Sequence, residues 1–271
     1  MLVNSGSIGW ILALQEFEGK LYASMSSRGI YSFDGNVWRS SYPQPSGSVI
    51  ESLGAFNGSL YAGLYPTGKV MVFDNSSWVE SLDSSESSVL SFAGFNGSLY
   101  AGTYPSGKVL RLNGSGWGEV FATGGAGVNA MAVLGGRLYS NAFSPGWGSN
   151  RVYDFDGEYW NPINVPALSS HRHDGGAVVH AGDAYFASSS NASLVSYSNS
   201  WRVLSAAPNA SGLASVNGSL YALSNGTFFK LNNSGWNELY SLNSTLWTVT
   251  GFSNKLYAGG FGKLYSCDTE A

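Results

Sequence analysis

The sequence predicts an all-β chain folded as a seven-bladed β-propeller, four antiparallel strands to a blade. Three observations predict it. A unit of about 40 residues recurs along the chain, the size of one propeller blade. Hairpin turns fall at fixed places within each unit. The apolar residues alternate with period two, and nothing sustains helical periodicity.

The repeat is read directly. Phe56-Asn57-Gly58-Ser59-Leu60-Tyr61-Ala62-Gly63 returns almost unchanged at Phe95 to Gly102. Weaker copies centre on Leu21-Tyr22, Leu138-Tyr139, Ala184-Tyr185, Leu220-Tyr221 and Leu256-Tyr257. The seven copies stand 39, 39, 39, 46, 36 and 36 residues apart. In six of them a Trp follows: Trp38, Trp78, Trp117, Trp160, Trp201 and Trp236.

The second unit shows the four strands. Residues 49–56 form strand A, and Asn57-Gly58 makes a hairpin turn that tolerates positive φ. Residues 59–64 form strand B, 69–73 strand C and 77–82 strand D. In strand C, pairs such as Tyr31/Phe33, Met71/Phe73 and Leu110/Leu112 share one face. The seventh copy stops at Cys267 to Ala271, where a C-to-D turn is due, and Met1 to Ser7 precede the first copy. Met1 to Ser7 are therefore expected to supply the fourth strand of the last blade. Residues 1–271 then form one domain.

Composition fits this reading. The 271 residues are 44% hydrophobic and 14% aromatic, with 36 Gly, a mix suited to strands and tight turns. Only 11% are charged, against roughly a quarter in ordinary soluble domains. With net charge −4 and no Lys/Arg run, the chain carries no nucleic-acid footprint. No apolar run reaches the length of a membrane span. The one cysteine, Cys267, forms no internal disulfide and reads as a buried apolar thiol. No basic region followed by an apolar run marks a signal peptide at the N-terminus.

The segment Asn96-Gly97-Ser98-Leu99-Tyr100-Ala101-Gly102-Thr103-Tyr104-Pro105-Ser106-Gly107-Lys108-Val109-Leu110-Arg111-Leu112, followed by Gly116-Trp117, carries a resemblance. It looks like the "LYAG…GKV…W" repeats of extracellular bacterial, archaeal and viral β-propellers, often called kelch-like or sialidase-like. The resemblance covers essentially the whole chain and implies the fold. It implies little about activity, because propellers host many unrelated functions. The sialidase Asp-box and the WD-repeat signature are absent.

Strand direction sorts the loops. The A-B and C-D turns belong to one face of the disc, the B-C loops and D-A connections to the other. The second face is variable and aromatic, and variable loops on a rigid scaffold commonly carry function. Its irregular sector adjoins blades four and five. There the B-C loop holds Phe143 and Trp147, and the D-A connection holds His171, Arg172, His173 and Asp174. The candidate ligand-binding residues are Tyr65, Tyr104, Phe143, Trp147, His171, Arg172 and His173. Aromatic rings would stack on sugar or protein, and the polar groups would fix orientation. His171-x-His173 with Asp174 has the alternation of a metal site but lacks a third ligand, and we assign no metal and no cofactor. Asp34, Asp74 and Asp156 read as turn residues. Glu51, near the start of its strand A, is placed to face the channel. No paired carboxylates and no Ser-His-Asp order emerge.

Ten Asn-x-Ser/Thr sites occur, at Asn57, Asn75, Asn96, Asn113, Asn191, Asn209, Asn217, Asn225, Asn232 and Asn243. Each is a glycosylation candidate in a secreted protein, and Asn-Gly-Ser is also simply the hairpin turn of the repeat. The leading expectation is a non-catalytic recognition, adhesion or scaffold glycoprotein, extracellular, on a cell surface or in a virion. Its partner would be a glycan or a surface protein. The alternatives are a carbohydrate-active enzyme with His171 or His173 as acid/base, and a structural unit of a filament or coat.

Overall fold

The computed structural model describes residues 9–143, 151–163, 176–188, 193–197, 200–204 and 209–269. They form seven antiparallel sheets, each a meander in chain order. Six sheets have four strands. The last has three among the described residues: Leu246–Phe252, Lys255–Gly260 and Leu264–Asp268. The expectation that Met1 to Ser7 complete this sheet lies outside the described residues. Gly9 and Trp10 do stand beside it. The Gly262 N–H donates to the Gly9 carbonyl at 2.8 Å, and Trp10 bridges to Phe261.

The second blade follows the sequence reading closely. Its strands are Val49–Phe56, Ser59–Tyr65, Lys69–Phe73 and Trp78–Asp83. The hairpin Asn residues take the expected conformation, with φ of 48° at Asn57, 45° at Asn96 and 49° at Asn217. Asn tolerates this left-handed region better than other non-glycine residues.

The Leu-Tyr pair of each repeat explains how the blades join. Successive strand residues point to opposite faces, and both faces of each strand B are covered by a neighbouring blade. Leu60 packs with Tyr22 of the first blade, while Tyr61 packs with Leu99 of the third. The relay continues through Tyr100 with Leu138, Tyr139 with Ala184, Tyr185 with Leu220 and Tyr221 with Leu256. It ends with Tyr257 beside Leu21, which closes the ring. Burying each leucine of the relay contributes about 1.5–3 kcal/mol.

Strand C departs from its expected one-sided pattern. Its deepest residues are Ile30, Val70, Val109, Val152, Leu194, Phe228 and Leu264, all on the alternation opposite to Tyr31/Phe33 and Met71/Phe73. Strand C is also sandwiched between blades, so both alternations are at least partly covered.

The Trp of strand D seals the outer seams. Trp78 stacks on Phe73 of its own blade at 5.3 Å and packs at a tilt on Tyr42 of the preceding blade at 5.3 Å. Trp160 lies between Phe155 and Phe121 in the same way.

Glycine in strand B has a separate reason. A Cβ on Gly102 would stand 2.5 Å from both Ser91 Oγ and the Val128 carbonyl oxygen. Its absence lets strand A of the fourth blade approach. Ser91 Oγ then donates to the Val128 carbonyl at 2.9 Å. Ser52 Oγ donates likewise to the Val89 carbonyl at 2.7 Å, beside Gly63.

Candidate functional site at the channel mouth

The A strands of all seven blades surround a central channel. Its opening on the face of the B-C loops and D-A connections has a volume of about 380 Å³. The site is built by one recurring irregularity. Strand A carries a β-bulge in blades one, two, three, four and seven. The residues skipped in the pairing are Leu12, Glu51, Leu90, Asn129 and Trp247, and all five line the channel. A bulge leaves one residue outside the ladder and re-aims its side chain. Here it gives each of these blades one side chain at the mouth.

The resulting lining is mixed. Glu51 supplies a carboxylate, and the buried Ser88 hydroxyl donates to it. Asn129 supplies an amide, and Leu12 and Leu90 supply apolar surface. Trp247 is fixed by donation from its Nε1 to the Ile11 carbonyl at 2.6 Å. Beside it, Trp10 packs edge-on at 6.0 Å, and Phe261 continues the row at 6.1 Å from Trp10. Trp10 is 50% exposed and Phe261 63% exposed. Among the described residues, Glu51 is the one ionisable side chain lining this opening.

Of the predicted site residues, the three described ones, Tyr65, Tyr104 and Phe143, do not line this opening. Tyr65 ends strand B of the second blade and is exposed. Tyr104 ends strand B of the third and stacks on Phe143 at 5.9 Å with 18° between the rings. Phe143 itself is buried, 6% exposed, and its ring fills the space a Cβ on Gly127 would need. It serves the seam between blades three and four and has little surface left for a ligand. Trp147, His171, Arg172 and His173 lie outside the described residues, as does Asp174. His180 lies on the opposite face, its Nδ1 3.0 Å from Ser215 Oγ. Among the described residues no three His, Cys, Asp or Glu side chains converge on one point.

Sequence reasoning singled out Glu51 but missed Leu12, Leu90, Asn129, Trp10, Trp247 and Phe261. A signal was present. Residues 12, 51, 90 and 129 are spaced by the 39-residue repeat, yet read Leu, Glu, Leu, Asn inside otherwise similar units.

The loops around the mouth are locked from beneath. Glu86 has a side chain 3% exposed and accepts from the Ser106 N–H at 3.1 Å. It also pairs with Lys108 at 3.4 Å. Glu119 and then Glu86 raise the Lys108 ammonium above its ordinary pKa.

On the other face, Asp34, Asp74 and Asp156 each accept two backbone N–H groups across a C-D turn. Asn113 and Asn232 do the same through the backbone N–H and hydroxyl of the residue two further on. Cys267 is half-buried there, and loss of hydration pushes its thiol up to about 11, with Asp268 adding to the effect.

Several candidate glycosylation sites have structural occupations. Asn75 Nδ2 donates to Glu18, and Asn217 Nδ2 to Thr269. Asn57 and Asn96 form the positive-φ hairpins, while Asn191 lies outside the described residues. Asn209, Asn225 and Asn243 line a second groove at the edge of the mouth.

No protein-family model matches the chain, and no curated protein matches it. Solved structures do. A catalytically inactive variant of virginiamycin B lyase from Staphylococcus aureus, solved with quinupristin, superposes with a TM-score of 0.82 at 10% identity, covering 98% of this chain and 97% of that one. The extracellular domain of a one-component system from B. thetaiotaomicron gives 0.74 at 13% identity, covering 97% of this chain and 39% of its own length. PorZ, a surface component of the type-IX secretion system of Porphyromonas gingivalis, gives 0.65 at 13% identity, covering 96% and 37%. What they share with this chain is the fold. This chain thus spans about two-fifths of the length of the latter two proteins.

Proposed function

We propose that the protein is a non-catalytic recognition module that binds a glycan or a surface protein through the face of the channel mouth. One observation carries the reading. The described mouth is rimmed by exposed aromatic rings and lined by a single carboxylate, Glu51. Glycoside hydrolysis ordinarily needs two carboxyl groups flanking the bond. Recognition needs apolar platforms with a few polar groups to fix orientation. An extracellular setting is part of the proposal. Two of the structural neighbours are an extracellular domain and a bacterial surface component, and the low charge suits a hydroxyl- and amide-wetted surface.

The test is a glycan-array and host-surface binding assay with the wild type and Glu51→Gln, alongside an assay for released reducing ends. Binding retained by Glu51→Gln without product release supports the reading. Product release that disappears in Glu51→Gln would replace it with the enzyme reading.

A further inference from the structure

We propose that the groove between the loops of blades six and seven is a binding site for a neutral oligosaccharide, with Phe261 as its stacking platform and Trp10 packed beside that ring. The proposal rests on the recognition reading above and gives it a place and a ligand class.

The groove opens beside the channel mouth. It lies between the turn after Ser219–Ser224, the connection from Gly235–Ser241 to Leu246–Phe252, and the loop after Lys255–Gly260. Its volume is about 720 Å³, within the roughly 300–1,000 Å³ usual for small-ligand sites. Its polar lining is amide and hydroxyl: Asn209, Asn225, Asn243, Ser244 and Thr245. Among the described residues, Lys263 is the single charged one along it, and no carboxylate lines it. Amides and hydroxyls donate and accept together, as sugar hydroxyls do. Asn209 lines the groove, and its Oδ1 is buried and meets no donor among the described residues.

The aromatic end of the groove is preformed. The backbone of Trp10 is held from both sides: its N–H donates to Ser26 Oγ at 2.9 Å, and its carbonyl accepts from the Ser26 N–H at 2.8 Å. The Phe261 N–H donates to the Thr245 carbonyl at 3.1 Å. The two rings stand 6.1 Å apart, and Trp247 packs edge-on against Trp10. Large exposed rings at the end of a carboxylate-free, hydrogen-bonding groove match an amphipathic ligand with one apolar and one hydroxylated side. A pyranose ring has that character.

Asn209, Asn225 and Asn243 also begin Asn-x-Ser/Thr sites, and a glycan attached to any of them would occupy this groove. The experiment therefore uses the full chain produced without glycosylation. Calorimetry and tryptophan fluorescence are recorded with four hexasaccharides: a β-glucan, an α-mannan, a chitin oligomer and, as the charged counterpart, a galacturonan. We expect saturable binding of at least one neutral hexamer. Affinity should fall tenfold or more in Phe261→Ala and in Asn209→Ala, with Phe261→Ala melting as the wild type does.

A neutral hexamer that binds Phe261→Ala and Asn209→Ala with wild-type affinity overturns the proposal. Binding of the galacturonan alone, or of no hexamer, also overturns it. Array or host-surface binding that survives Phe261→Ala but is lost in Trp147→Ala removes the groove and leaves the recognition module standing. Absence of binding in every assay removes both.

Discussion

Tyr257 of the seventh blade and Leu21 of the first pack into one buried cluster with Phe252, so the two ends of the repeat array meet as any two neighbouring blades do. The closing seam uses the same Tyr-to-Leu contact that joins Tyr61 to Leu99 inside the array. Leu21→Ala should therefore cost about 2–5 kcal/mol, the usual range for a buried leucine, and match Leu99→Ala. Urea denaturation of both variants checks this. A much milder Leu21→Ala would mean that the seam contributes less than an internal interface.

Met1 to Ser7 bear on the same seam. Their deletion should lower the melting temperature sharply, since it would strip the expected fourth strand from the last sheet and leave an exposed edge. Calorimetry of the truncated chain checks this, and an unchanged melting temperature would exclude a closing strand there.

The backbone approach at Gly102 makes a sharper prediction. Gly102→Ala would drive a methyl group against Ser91 Oγ and the Val128 carbonyl. Overpacking of this kind costs about 1–3 kcal/mol. Ser91→Ala loses only the hydrogen bond to Val128, at about 1 kcal/mol. The double variant should lose less than the sum, because Ser91→Ala removes one of the atoms that the new methyl group would strike. Full additivity in a double-mutant cycle would refute the shared contact.

Glu86 ties the connection between blades two and three to the loop of Tyr104, through Ser106 and Lys108. Glu86→Ala should lower the melting temperature by about 5 °C, as expected for losing hydrogen bonds to a buried charge in a chain of this size. Glu86→Gln should recover part of this by still accepting from the Ser106 N–H. Equal melting temperatures for the two variants would assign the effect to the charge alone.

The C-D turns predict an acid transition. Asp74 is lowered to about 2 by the Ser76 hydroxyl first, then by the Ser77 and Ser76 N–H groups. Asp34 is lowered chiefly by the Val37 N–H and Asp156 by the Tyr159 N–H. A carboxylate with a depressed folded pKa contributes stability that is fully present above its ordinary value, here 3.8. It is lost as pH falls through the folded value. The urea midpoint should therefore drop between about pH 4 and pH 2. Replacing all three by Asn should flatten that drop while keeping the turns, because Asn113 and Asn232 already hold equivalent turns. An undiminished drop in the triple variant would place the acid sensitivity elsewhere.

The fold was legible because repetition turns one blade into seven readings of the same constraint. Leu-Tyr recurs because strand B is covered on both sides. Asn-Gly recurs because the hairpin needs positive φ. The bulges were not legible. A bulge is a local slip between two strands, and nothing in Val49 to Phe56 marks Glu51 as the residue left out of the ladder. Phe143 was read as an exposed platform because it sits in an aromatic, enlarged loop region. Its burial follows from Gly127 on the paired strand of its own blade and from Tyr104 across the blade boundary, contacts that the order of residues does not display. Trp10 and Phe261 are far apart in sequence and become a pair only when the ring closes.

The bulged positions have an evolutionary consequence. Leu12, Glu51, Leu90, Asn129 and Trp247 stand outside the strand ladder while their neighbours hold the blades together. Each is a socket, one to each bulged blade, whose occupant can be exchanged without altering the strand register, although Trp247 and Glu51 also bond to a neighbouring blade. Duplication of a blade copies the scaffold and hands selection a fresh socket. Such a ring can drift from one ligand to another by single replacements at the mouth, which is how proteins with almost no residues in common can keep one architecture.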